Sequence, residues 1–358
     1  MAAIARTMQL GDVIRFGNGK AIKPGGEGRY SVYGSNGIIG GCDEFRYENG
    51  VIIGRVGAYC GSVAYCPDKF WASDNTLVAF PATDEFDTHF LFYLLHETKL
   101  SRYAGGAAQP LVTQTVLKQV EVRVPPLPTQ QRIANILSGY DNLIENSQRR
   151  IQILESMARA IYRQRFVGDA NSTFGALCEL VKEPFDEREH SDRPLLDLAR
   201  MPQRTIAPAE TGKASELTTS RILFEPGDTL FGAIRCYLHK VLAAHYPGVT
   251  NTSVFVLRPK KPSFRSLVAL IASDSDTIRW ADTHSTGAKM PVINWGVFQT
   301  MPAPLPSESA AQEFENVAGP MLEQIGILAN QIQNLRRTRD LLLPRLLSGQ
   351  VELKMKAA

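Results

Sequence analysis

Apolar residues along this chain follow two rhythms, and each rhythm occurs twice. Short β-branched and aromatic runs set off by glycine make up the first: VIIGRVGAYCGSVAY (51–65) and NTLVAF (75–80) in one stretch, TLFGAI (229–234), KVLAA (240–244) and SVFVLR (253–258) in another. Such runs predict strands joined by tight turns, and HFLFYLLHETKLSRY (89–103) predicts a helix attached to them. In the second rhythm apolar residues alternate by four and three, the heptad spacing of a helix with a narrow buried stripe. It starts after PPLP (125–128) with Ile133, Leu137, Tyr140, Ile144, Ile151, Leu154, Ala158 and Ile161, interrupted at Ser147. It returns as Phe314, Ala318, Met321, Ile325, Leu328, Ile332, Leu335, Leu342 and Leu346, interrupted at Arg339.

The two stretches are copies of one unit. GRVGAYCGSV (54–63) lies against GAIRCYLHKV (232–241) at an offset of 178, and GAAQPLVT (106–113) against GAKMPVIN (287–294) at 181. PPLP matches APLP (303–306) at 178, and IQIL (151–154) matches IQNL (332–335) at 181. Shifting the first stripe by 181 lands it on the second in the same heptad phase. The predicted fold class is therefore α+β: two tandem mixed domains, 1–128 and 169–306, each followed by a long helix, 129–168 and 307–350, with a tail at 351–358. Burial of both stripes is simplest if the helices pair as an antiparallel intramolecular coiled coil about an approximate two-fold axis. Thr129 is the expected cap of the first helix, and Ser309 with Gln312 the capping box of the second. Gly168 and Gly349 are the expected left-handed stops, and Pro344 is expected to end the second helix a turn early. A fragment 1–168, left with an exposed stripe, is expected to pair with itself.

Composition narrows the class more than it names one. Hydrophobic content of 44% and charged content of 21% fit a globular protein. The beginning of the chain has no apolar run suited to a secretory signal, and no stretch approaches ~20 apolar residues, so a cytoplasmic protein without membrane contact is expected. Five cysteines, Cys42, Cys60, Cys66, Cys178 and Cys236, form no C-x-x-C pair and read as reduced, with no metal site. Net charge is only +3, and the excess sits in 130–168, which carries 6 basic and 3 acidic residues. DNA contact by the larger regions would have to come from local clusters such as Arg15, Lys20, Lys23 and Arg29, or Arg258, Lys260, Lys261 and Arg265.

Catalytic signatures are missing. The sequence has no phosphate loop, no H-E-x-x-H, no G-x-S-x-G elbow, no Asn/Asp-Pro-Pro-aromatic tetrad and no glycine-rich turn for a methyl donor. The six histidines share no ligand spacing, and no cofactor is expected.

RYSVYGSNGIIGGCDEF (29–45), VIIGRVGAYCGSVAY (51–65) and AGGAAQPLVTQTVLKQVEVRVPPLPTQQRIANIL (104–137) resemble a target-recognition domain running into the helix of a type I restriction–modification specificity subunit. The second half is the weaker match: it lacks the Tyr-Gly-Ser-Asn-Gly stretch, and SESAAQ replaces the TQQRIA-type helix start. The resemblance implies a non-catalytic subunit whose two domains each read one half of a bipartite, asymmetric site in double-stranded DNA. It further implies that the helices set the spacing and dock two copies of an adenine methyltransferase subunit, joined by a restriction and translocase subunit. In the first domain the candidate contacts are Lys20, Lys23 and Arg29 for phosphates, and Tyr33, Ser35, Asn36, Arg55, Tyr59 and Gln109 in polar loops. In the second they are Arg235, Tyr237, His239, Lys240 and Lys289. The rival readings are a self-contained methyltransferase or endonuclease with an unfamiliar active site, and a coiled-coil protein scaffold.

Overall fold

A computed structural model describes residues 5–351 and 353, apart from 24, 107–108, 167, 169, 209 and 218–219. The chain divides into two compact units: 1–141 with 337–358, and 142–336.

Unit one is built on a six-stranded sheet in the order Ile14–Asn18, Thr76–Pro81, Tyr47–Gly54, Val63–Ala72, Tyr30–Gly34, Gly37–Cys42. All neighbours are antiparallel except Tyr30–Gly34 with Val63–Ala72. Side chains alternate faces along a strand. Val51, Ile53, Leu77 and Ala79 accordingly pack in one core with the helix Thr88–Thr98, whose Asp87 cap accepts from Phe90 N–H. Ile52 and Val78 face the other way, into a second cluster with Tyr33, Phe70, Tyr47 and Phe80.

In unit two a four-stranded sheet runs Cys178–Val181, Val254–Pro259, Thr229–Gly232, Val241–Ala243, backed by the helices Arg265–Ala272 and Ser275–Thr283. A second four-stranded sheet, Gly212–Lys213, Pro194–Leu195, Gly248–Asn251, Arg221–Phe224, repeats the order and directions of Gly37–Cys42, Tyr30–Gly34, Val63–Ala72 and Tyr47–Gly54 in unit one, its one parallel pair included. The first four strands of unit one match the first sheet of unit two in order and direction. The hydrogen bonds repeat as well. Gly54 N–H donates to Ser62 O and Gly232 N–H to Lys240 O, both at 2.9 Å; Gly57 N–H donates to Pro110 O at 3.1 Å and Arg235 N–H to Pro291 O at 2.8 Å.

The two long helices span Leu127–Phe166 and Glu308–Leu347. Within unit one, Ile133, Ala134 and Leu137 share a core with Leu343 and Leu346. Within unit two, Ile144, Ile151, Ala158, Tyr162 and Phe166 share one with Ala311, Phe314, Ala318, Leu322, Ile325, Leu328 and Ile332. The rings of Phe166 and Phe314 meet edge to face at 5.1 Å, and Ile151 and Ile332 line one cavity, so the segments run antiparallel.

The stripe departs from the heptad. Tyr140, Leu154, Ile161, Met321, Leu335 and Leu342 are only partly buried, whereas their neighbours Glu155, Tyr162, Leu322 and Leu343 are buried. Ile133, Ile144, Glu155 and Phe166, spaced by eleven, lie on the buried line, which is the path of a nearly straight helix at ~3.67 residues per turn. Ser147, read as an interruption, is buried and satisfies its hydroxyl on Leu143 O at 2.8 Å.

Several helix ends differ from the sequence expectation. The first helix begins at Leu127, ahead of Thr129. Ser307, not Ser309, accepts from a first-turn amide, that of Ala310, at 3.3 Å. The second helix passes through Pro344 to Leu347, so the proline costs one hydrogen bond and not the last turn. Gly168 and Gly349 do take left-handed backbone, with φ of 109° and 76°.

Candidate nucleic-acid interface

In unit one, four turns are drawn together by short hydrogen bonds. Ser62 Oγ donates to Ser35 O (2.6 Å), Ser35 Oγ to Asn75 O (2.7 Å), Arg55 N–H to Asn75 O (2.9 Å) and Val112 N–H to Arg55 O (3.0 Å). A cavity of about 210 Å³ opens between them, lined in part by Asn36, Gly37 and Tyr59. Tyr59 is 60% exposed on the turn Gly57–Tyr59, and Gln109 is exposed on the loop hydrogen-bonded beside it. Glycine is required here: Gly61 has φ of 84°, and a Cβ on it would meet Ser101 N at 2.2 Å. Ser35, Asn36, Arg55, Tyr59 and Gln109 thus share one end of the sheet. Lys20 joins them through its N–H to Ala72 O (2.9 Å). Lys20, Lys23 and Arg29 are exposed, and none forms an ion pair with another described residue.

Tyr33 does not belong with them. It is buried against Phe70, ring centroids 5.6 Å apart, and burial pushes its hydroxyl pKa upward. Strand alternation turns it inward while Ser35 and Asn36 occupy the turn. Where the sequence predicts one continuous helix to residue 103, the helix stops at Thr98, and Lys99, Arg102 and Tyr103 are exposed around the turn that packs beneath Gly61.

Unit two repeats the arrangement. Arg235 and Tyr237 are exposed on the turn around Cys236–Leu238, and Lys289 and Met290 on the neighbouring loop. Two expected contacts are withdrawn. His239 is 6% exposed, its Nε2 lies 2.9 Å from Ser273 O, and burial lowers its pKa, with Arg159 and Arg204 adding to that. Lys240 is partly buried and donates through Nζ to Leu198 O at 2.6 Å. Both side chains brace the turn from within. In the cluster at 258–265, Arg258, Lys260 and Lys261 are structural too. Arg258 is held by Asp228 at 2.8 Å and Glu183 at 2.7 Å, Lys260 donates to Gly175 O at 2.6 Å, and Lys261 pairs with Glu308.

Among the described residues no cluster of His, Cys, Asp and Glu could hold a metal ion. Cys60, Cys66, Cys178 and Cys236 are buried free thiols, and burial raises the pKa of Cys236 to about 11. No described helix is long and apolar enough to cross a membrane.

Residues 5–156 match the family model for the type I restriction modification DNA specificity domain. The specificity subunit of the type I restriction enzyme MjaIX of Methanocaldococcus jannaschii is 23% identical over 87% of this chain and 80% of its own length. Residues 5–156 are thus similar to that domain, and most of the chain is similar to a type I specificity subunit. The EcoprrI specificity subunit of Escherichia coli is 30% identical, over 36% of this chain and 32% of its own length, so the match to that relative spans about a third of it. Among solved structures, the S subunit of a type I restriction–modification system from M. genitalium superposes with a TM-score of 0.66 at 17% identity, covering 96% of both chains. That S subunit and this chain therefore share a fold of two mixed domains and two long helices.

Proposed function

We propose that this subunit reads a bipartite DNA site, one half per domain, and performs no chemistry itself. The observation that carries the reading is the doubled turn pair. In each unit an exposed tyrosine, Tyr59 or Tyr237, stands on a short turn tied by a backbone hydrogen bond to a polar loop bearing Gln109 or Lys289. Two copies of one device whose side chains differ suit two half-sites whose sequences differ. Asn36 and Gln109 offer bidentate patterns for adenine, Arg235 for guanine, and Lys20, Lys23 and Arg29 suit phosphates. The proposed organisation keeps 1–128 and 169–306 as the reading domains and the helices between and after them as spacer. A 40-residue helix is about 60 Å long, against ~34 Å for a turn of B-DNA.

The helices also serve, in this proposal, as the docking surface for two adenine methyltransferase subunits, to which a restriction and translocase subunit is added. Leu143, Ile153 and Met157 support it: all three are 46–58% exposed on the first helix, more apolar surface than a solvated helix needs. The test is reconstitution. The purified chain incubated with labelled methyl donor and DNA is expected to transfer nothing, and addition of the methyltransferase subunit to give site-specific adenine methylation. Methyl transfer that co-purifies with the chain alone contradicts the proposal.

A further inference from the structure

Three of the five non-glycine residues with left-handed backbone among the described residues lie together in unit two: Arg204 (φ 60°), Arg235 (φ 53°) and His239 (φ 54°). Arg204 N–H donates to His239 O at 2.9 Å, and Arg235 and His239 flank the turn that carries Tyr237. Left-handed backbone is unfavourable for a residue with a Cβ and persists where something else requires it. At the positions matching Arg235 and His239, offset by 178, unit one has Gly57 and Gly61, with φ of 77° and 84°, and no such strain. Unit two keeps the same backbone but has side chains there. His239 points inward and braces the turn, whereas Arg204 and Arg235 are exposed and form no ion pair with a described residue. Arg193, Arg200, Arg221 and Arg258 of the same unit are each paired with a carboxylate.

The loop that presents Arg204 is gripped by the first long helix. Glu155, 7% exposed and on the buried line of that helix, accepts from Ile206 N–H at 2.9 Å and from Thr205 Oγ1, while Ala243 N–H donates to Ile206 O at 3.0 Å. A carboxylate in a buried seam is costly unless its oxygens are used, and here one of them holds two consecutive residues of the loop.

Resting on the proposed function, we infer that Arg204 is a further DNA-contacting residue of the second domain, and that Glu155 is a positioning residue that fixes its loop against the reading turn. Arg204, Arg235, Tyr237 and Lys289 then form one reading surface, with Arg204 taking the place left by the missing Tyr-Gly-Ser-Asn-Gly loop.

The test uses the full chain expressed with its methyltransferase subunit, with methylated adenines mapped over a host genome. Arg204→Ala is expected to relax, or to lower at least fivefold, methylation through one half-site only, the half that Arg235→Ala also alters. Arg204→Gly separates reading from folding: it removes the guanidinium and the strain together, so the thermal midpoint is expected to hold or rise while the same half-site weakens. Glu155→Ala is expected to reproduce the half-site defect, and Glu155→Gln, which keeps an acceptor for Ile206 N–H, to restore it in part. A wild-type motif at unchanged level in both Arg204 variants overturns the inference, as does a defect in the half-site altered by Tyr59→Ala. Absence of any bipartite motif with the wild-type chain overturns the proposed function as well, and with it the inference.

Discussion

His245 shows how much one side chain can contribute to the pH dependence of this fold. Its ring lies on the second long helix over Gly326, where a Cβ would meet it at 2.3 Å, and its Nε2 is buried without a partner. Burial first, and Arg265 second, lower its pKa to about 4. The unfolded imidazole titrates near 6.5, so between pH 6.5 and 4 the unfolded state binds the extra proton. Stability is full above that window and falls through it, by roughly 3 kcal/mol at the lower end for a shift of this size. His245→Gln is expected to flatten the pH 7-to-4 decline in chemical-denaturation midpoint; an unaltered slope would show that His245 does not carry it. Little of this was legible in sequence, because His239 and His245 flank the two ends of the strand Val241–Ala243 and only packing turns both inward. Arg55 and Tyr59 were easier to place: glycines on either side mark the turn that the backbone makes there.

At the scale of elements, apolar periodicity located both helices and their partners but misjudged the phase. Counting by sevens selects Met321 and Leu154; the buried line runs through Leu322 and Glu155. A glutamate on the core line cannot be recognised from periodicity, since its justification is a loop fifty residues away. Leu322→Ala is expected to cost ~2–5 kcal/mol and Met321→Ala less than half as much, as read by denaturant unfolding; the reverse order would restore the heptad seam. Arg339 interrupts the stripe for a reason also absent from the pattern. It pairs with Asp141 at 2.5 Å, and Asp141 accepts from the Tyr93 hydroxyl of the first domain's helix at 2.5 Å. Shifting Arg339 by 181 gives Ala158, so a self-paired 1–168 fragment would set Asp141 opposite alanine. Self-pairing of that fragment should therefore be weaker than the apolar stripe alone suggests. Asp141→Ala and Arg339→Ala, each removing one partner of a half-buried pair, should be strongly non-additive in a double-mutant cycle on the full chain. Additive losses would mean the pair does not link the helices.

For the whole molecule, the internal repeat was the most readable feature, because matched offsets of 178 and 181 survive in the hydrogen bonds around both turns. The second sheet of unit two was not readable, since its strands of two to four residues repeat the order and directions of their counterparts in unit one without a matching sequence. That divergence is the physical basis for expecting two half-sites with different sequences, and it makes modular reading the central claim. The most direct measurement maps methylated adenines, across a genome, for the wild-type chain with its methyltransferase subunit and for two variants: Asn36→Ala with Tyr59→Ala in the first domain, and Arg235→Ala with Tyr237→Ala in the second. The account predicts a bipartite wild-type motif, one half relaxed by the first variant and the other half relaxed by the second, with losses of ~1–3 kcal/mol per base contact. Variants that both relax the same half, or both weaken the whole motif equally, would contradict it.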